Sequence, residues 1–206
     1  VENATRKKSG KANMSFTIWF TGLPCSGKTT LSRRLYQFLK QWNIQVHLMD
    51  GDAIRAQLPR PLSFNKQDRD NHGRRLGILA QGLNQKGFIS IVAAIAPYIE
   101  TREHNRREVD NYIEVFCCCP VEVAEKRDSR GLYVKARSGE IINFTGISDP
   151  YEEPQEPEVV VFTDREDIGT SLGKIVDYLV KQALIHPRPE PSRKSETQPG
   201  DSSPAS

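Results

Sequence analysis

Between an apolar pentapeptide, Phe16-Thr-Ile-Trp-Phe20, and an amphipathic stretch beginning near Leu31 lies Gly22-Leu-Pro-Cys-Ser-Gly-Lys-Thr29. This is a complete phosphate-binding loop in the strand–loop–helix setting such a loop requires. Gly22 and Gly27 let the backbone curl until its N–H groups converge on phosphate oxygens. The following helix N-terminus adds a favourable partial charge. Lys28 is placed to reach the β- and γ-phosphates, and the Thr29 hydroxyl to hold Mg²⁺. The ATP-binding set is therefore Gly22, Leu23, Pro24, Cys25, Ser26, Gly27, Lys28, Thr29 and Thr30. The bland alternative is a glycine-rich turn before a helix. The motif does not name an acceptor.

The rest of the chain alternates in the manner this loop demands. Short apolar runs at Val46–Met49, Ile89–Ile95, Tyr112–Cys117 and Val159–Phe162 read as strands. Helical spacing recurs at Leu31, Leu35, Phe38, Leu39 and Trp42, again at Leu76, Leu79, Ala80 and Leu83, and at Leu172, Ile175, Val176 and Leu179. The expected fold is α/β: a P-loop NTPase-type parallel sheet with helices on both faces and a lid loop. Ligands of such sheets bind beyond the carboxyl ends of the strands, so residues just after each strand carry the information. The expected organisation is a flexible arm over residues 1–14, one domain over 15–186 and a Pro/Ser-rich disordered tail over 187–206.

Several function classes recede on composition. Twenty-nine Lys and Arg against 26 Asp and Glu give a net charge of +3, too little to argue for nucleic acid. No apolar run is long enough to span a bilayer. Four cysteines, three of them consecutive at 117–119, fit neither a disulfide framework nor a zinc spacing, which suits reduced thiols and a cytoplasmic setting.

Asp50-Gly-Asp52 follows the second strand, beside the phosphate loop. A carboxylate there can orient an acceptor hydroxyl, take its proton or touch Mg²⁺. Asp52 before Ala53-Ile54 also reads as a helix N-cap. Arg55 adds a guanidinium suited to an anionic acceptor. The run from Phe64 to Arg75 opens a helix that carries Arg69, His72 and Arg75 on roughly one side, either a ligand face or a solvated one. Asn65-Lys-Gln-Asp68 inside it matches the guanine-specificity motif of GTPases, but in the wrong place, and is read as coincidence. Ala94-Ile-Ala-Pro-Tyr98 closes the third strand ahead of Arg102, Arg106 and Arg107, arginines that could hold sulfate or phosphate. Residues 128–157 have little periodicity and read as a long basic loop, a lid over the site.

Together these residues resemble the adenylylsulfate kinase family of P-loop kinases over about residues 14–186. The resemblance rests on the phosphate loop, Asp50-Gly-Asp52 with Arg55, and Phe64 with Asp68-Arg69. It also rests on Ala94–Tyr98 before Arg102, Gly131-Leu-Tyr133 with Lys135-Ala-Arg137, and Asn143-Phe-Thr-Gly-Ile147 before Pro150-Tyr-Glu152. It implies transfer of the γ-phosphoryl group of ATP to the 3′-hydroxyl of adenylyl sulfate, with Mg²⁺, in a homodimer. It further implies that Phe64 and Phe144 sandwich the acceptor adenine and that Arg55 and Arg69 hold its phosphosulfate. Lys28, Asp52 and Asp50 are then catalytic, and Thr29 and Asp52 bind metal. Asp50, Asp52, Arg55, Phe64, Arg69, His72, Ile95, Ala96, Lys135, Phe144, Thr145 and Gly146 contact the acceptor. Ala96 stands where many members have a serine held to form a phosphorylated intermediate, so direct in-line transfer is expected. His72 stands where many have a substrate-binding Asn, Ile99 where an Arg is common, Val134 where the first of two lid lysines stands, and Cys118 where an Asp follows the fourth strand.

Overall fold

The computed structural model describes residues 15–60 and 62–186; the arm and the tail expected from the sequence lie outside the described residues. Five parallel strands form one sheet in the order β2-β3-β1-β4-β5. They are β1 (Thr17–Thr21), β2 (Val46–Asp50), β3 (Ile89–Ala93), β4 (Tyr112–Cys118) and β5 (Val159–Phe162). The helices are α1 (Lys28–Gln41), α2 (Gly51–Ala56), α3 (Lys66–Gln85), α4 (Ile99–Glu108), α5 (Val121–Lys126), α6 (Leu132–Arg137) and α7 (Ile168–Lys181).

Strand β1 lies at the centre, in register with β3 through Ile18 and Ile91 and with β4 through Ile18 and Ile113. All five of its residues are buried, as expected for a parallel strand covered on both faces. Alternation divides them. Ile18 and Phe20 join Leu31, Leu35 and Leu39 of α1 and Ile175 and Leu179 of α7 in the core on one side. Trp19 joins Met49, Val92 and, from α3, Leu76 and Ala80 on the other. Truncating a buried leucine such as Leu35 to Ala would cost about 2–5 kcal/mol.

The second side is tied by a close helix pair. A Cβ added at Gly73 would stand 2.6 Å from Thr101 Cγ2, and one at Gly77 would stand 2.5 Å from Asn105 Oδ1. Asn105 uses that proximity to donate to the Gly73 carbonyl at 3.1 Å. Small residues four apart on α3 thus let α4 approach, and α4 places its Arg102 beneath the end of β3.

One sequence reading changes here, and another holds. Residues 128–157 are not wholly loop, because α6 lies within them. A helix of six residues is too short to display a period. The Asn65–Asp68 run is a helix start: Asn65 caps α3 by accepting from the Asp68 N–H at 2.8 Å, and the Asp68 carboxylate accepts from the Ser63 N–H at 2.7 Å. Among the described residues no helix is long and apolar enough to cross a membrane.

Candidate active site

The phosphate loop connects β1 to α1 and is held by groups outside it. Gly22 adopts φ +146°, and a Cβ there would lie 2.6 Å from the Cys117 carbonyl oxygen, so glycine is required. Gly27 caps α1 in the left-handed region at φ +94°. Tyr133 Oη donates to the Pro24 carbonyl at 2.9 Å, and Thr163 Oγ1 donates to the Ser26 carbonyl at 3.0 Å. Arg127 fixes Thr163 in turn, donating to its carbonyl at 2.7 Å. Lys28 is buried; its Nζ donates to the carbonyls of Gly22 at 3.0 Å and Leu23 at 2.6 Å. Burial pulls its pKa below the ordinary lysine value, so an anion brought beside it would favour the charged form.

A cleft of about 1620 Å³ opens over this loop. Its walls include Lys28, Thr29 and Thr30 on one side and Asp50, Asp52, Arg55, Phe64 and Arg69 on another, with Ile95, Phe144 and Thr145 completing the enclosure. The volume exceeds the roughly 300–1,000 Å³ typical of pockets for one drug-sized ligand.

The two aspartates divide their roles. Asp50, not Asp52, is the N-cap of α2, its Oδ1 accepting from the N–H groups of Asp52 at 3.0 Å and Ala53 at 3.2 Å. This corrects the sequence reading of Asp52 as the cap, while Asp50 lines the cleft as well as capping the helix through Oδ1. The cap position leaves the Asp52 side chain exposed at the cleft wall.

Phe64 is 53% exposed, with the Arg55 guanidinium 4.6 Å and the Arg69 guanidinium 5.5 Å from its ring centroid. Arg55 also donates to the carbonyls of Leu62 and Ser63, and Arg69 to those of Phe64 and Asn143. Burial lowers the pKa of both arginines, with their mutual repulsion adding to the effect at Arg55. Phe144 differs from Phe64. It is only 8% exposed and packs edge-on against Tyr133, with centroids 4.9 Å apart. The Thr145 hydroxyl is buried beside it with no protein partner among the described residues, a group available to a ligand.

Other expected site residues stand outside the cleft lining. His72 is buried and its ring Nε2–H donates to the Gly51 carbonyl at 2.9 Å, so it faces the protein rather than the cavity. Ala96 is buried at φ +43° and its carbonyl accepts from Arg102 at 2.7 Å. Lys135 pairs with Glu140 at 3.2 Å. Gly146, at φ +90°, lies against Leu23 of the phosphate loop. Gly22, Leu23 and Ser26 shape the loop from behind it. Two of the arginines of α4 are engaged by protein carboxylates: Arg102 meets Glu114 at 3.0 Å, and Arg106 bonds Glu114 and Glu158.

Sequence reasoning missed Thr163, Arg127 and Thr21. Thr21 donates to the Ile95 carbonyl at 2.6 Å and accepts from Tyr151 Oη at 2.9 Å, tying the entrance of the phosphate loop to the end of β3. Thr21 and Thr163 both stand at or just past strand ends on the carboxyl side, the one signal that could have found them.

Comparison with known proteins agrees with this geometry. Residues 14–162 match the family model described as Adenylylsulphate kinase. The chain is 45% identical to the adenylyl-sulfate kinase of Halothermothrix orenii over 170 residues, 82% of this chain and 92% of that protein. It is 44% identical to the adenylyl-sulfate kinase of a Picosynechococcus species over 171 residues, 83% of this chain and 97% of that one. Among solved structures, the APS kinase of Mycobacterium tuberculosis in complex with AMPPNP and APS superposes with a TM-score of 0.77 at 35% identity, covering 81% of this chain and 98% of that one. With a family model spanning most of the domain and relatives alike over nearly their whole length, the chain belongs to the adenylylsulphate kinase family.

Proposed function

We propose that this protein transfers the γ-phosphoryl group of ATP to the ribose 3′-hydroxyl of adenylyl sulfate, giving 3′-phosphoadenylyl sulfate. One observation carries the reading. A single cleft joins the Lys28–Thr29 end of a phosphate loop to an acceptor-side set of a free carboxylate, two guanidiniums and two aromatic rings. Its volume suits two nucleotides placed end to end.

In this reading Lys28 leaves the Gly22 and Leu23 carbonyls for the β- and γ-phosphate oxygens and offsets the charge that gathers there during transfer. Asp52 orients the acceptor hydroxyl and receives its proton. Phe64 and Phe144 read the acceptor adenine by stacking, and Arg55 and Arg69 hold its phosphosulfate. Thr29 and Asp52 both line the cleft and offer oxygen donors, a set that fits Mg²⁺ alongside substrate phosphates. Held there, such an ion would supply neutralisation of the phosphate charge. Ala96 has no hydroxyl to phosphorylate and is buried, which favours direct in-line transfer. Catalysis on this scheme is mostly positioning and charge stabilisation.

The test is incubation of γ-labelled ATP with adenylyl sulfate and, in parallel, with gluconate and adenosine, followed by product identification. Label should appear only in 3′-phosphoadenylyl sulfate. Lys28→Ala should abolish turnover while the circular dichroism spectrum stays unchanged. Equal labelling of another acceptor, or near-normal turnover by folded Lys28→Ala, would overturn the assignment.

A further inference from the structure

His72 lies on α3, yet its contact is with the first turn of α2. Its Nε2–H donates to the carbonyl of Gly51, the residue between Asp50 and Asp52. The residue is 8% exposed and forms no part of the cleft wall. The rest of the turn is equally constrained. Asp50 caps the helix through the Asp52 and Ala53 N–H groups. A Cβ at Gly51 would stand 3.0 Å from Ala94 Cβ and 3.1 Å from the Ala93 carbonyl, so Gly51 is seated directly against the end of β3. The Gly51 peptide therefore has β3 on one side and the imidazole on its oxygen. Beyond it the Asp52 side chain reaches the cleft.

We propose that His72 is a positioning residue for Asp52: its Nε2–H anchors the Gly51 carbonyl and thereby fixes the turn that presents the carboxylate to the acceptor hydroxyl. His72 touches no substrate in this arrangement. The neutral ring suffices, and burial, which holds its pKa below the usual histidine value, keeps it neutral. The inference rests on the phosphotransfer reading for its kinetic consequence but not for the tie itself.

Two measurements separate these. Amide hydrogen exchange at Asp52 and Ala53, made on the protein alone, reads the tie whatever the substrate. His72→Leu, which removes the donor and keeps the bulk, should speed exchange at both amides, and His72→Gln, whose amide nitrogen reaches the place of Nε2, should restore protection. Unchanged exchange in His72→Leu overturns the tie.

Steady-state kinetics with ATP and adenylyl sulfate read the consequence. In His72→Leu, kcat should fall on the order of 10- to 100-fold, the cost of a misplacement approaching 1 Å. KM for both substrates should change little, and His72→Gln should recover most of the loss. In the Asp52→Asn background His72→Leu should cost little more, since the group it positions is already gone. A raised KM for adenylyl sulfate with kcat unchanged would make His72 a substrate contact instead. Additive losses in the double variant, or equal losses in Leu and Gln, would overturn positioning. Should His72→Leu fail to fold, His72→Asn serves, because its shorter side chain stops short of the Gly51 oxygen; it should lose kcat where Gln does not, and equal kcat in the two would refute the proposal. A wild-type chain that protects these amides but does not phosphorylate adenylyl sulfate would refute the function and leave the tie standing.

Discussion

Asp50 and Asp52 are two residues apart, chemically alike and both at the cleft wall, yet only Asp50 also closes a helix. Substitution separates them. Asp52→Asn keeps size and loses charge and basicity, so kcat and kcat/KM should fall together while nucleotide affinity and melting temperature hold. Asp50→Asn should be mild, because Asn and Asp cap about equally well; Asp50→Ala should lower stability by about 0.5–2 kcal/mol. Full activity of Asp52→Asn would remove it from the mechanism. The sequence could place a carboxylate pair beside the phosphate loop, because residues after a strand are read from order alone. It could not say which of the two caps α2, since one residue of phase decides that. His72 shows the same limit. Its helix and rough side were legible, but whether the ring meets a ligand or a neighbouring carbonyl depends on where α2 lies.

At the scale of elements, the two aromatic rings sit on differently supported segments. Phe64 stands in the exposed approach to α3, whereas Phe144 is wedged against Tyr133 of α6. Phe64→Ala should weaken adenylyl sulfate roughly tenfold or more, taking base stacking as worth ~1–3 kcal/mol, with melting temperature unchanged. Phe144→Ala should also weaken it, and should cost about 3–5 kcal/mol of stability, because the ring is core as well as site. Isothermal titration and thermal melts on both variants check the pair; equal stability losses would contradict the packing described. The α3–α4 seam gives a second test. Gly77→Ala places a methyl 2.5 Å from Asn105 Oδ1, so it should lower the melting temperature even though alanine is the better helix former. A raised melting temperature would mean that the helices part easily. Strand positions were readable from apolar runs to within a residue or two. Helix α6 was not, and neither was the burial of Arg102 on α4, since the spacing of its arginines looks the same on a solvated face.

Across the whole molecule, buried charge links the sheet to the segment behind it. Glu114 of β4 meets Arg102 and Arg106 of α4, and Arg106 also bonds Glu158 just before β5. Arg102 in addition donates to the carbonyls of Ala96 and Glu152. Removing one member of such a set leaves the others charged and desolvated, so Glu114→Ala should destabilise by roughly 3–5 kcal/mol in chemical denaturation. A loss below about 1 kcal/mol would show the network to be dispensable. The strand order carries a consequence of a different kind. Strand β1 is made first, yet both of its partners, β3 and β4, lie far downstream. At a synthesis rate of ~5–20 residues per second, its apolar Thr17–Thr21 segment emerges from the ribosome several seconds before Ile89 exists to pair with it. For that interval the future centre of the sheet is an unpaired, sticky stretch of nascent chain, so chaperone engagement and aggregation in the cell should be governed by β1 before a nucleotide can ever be bound.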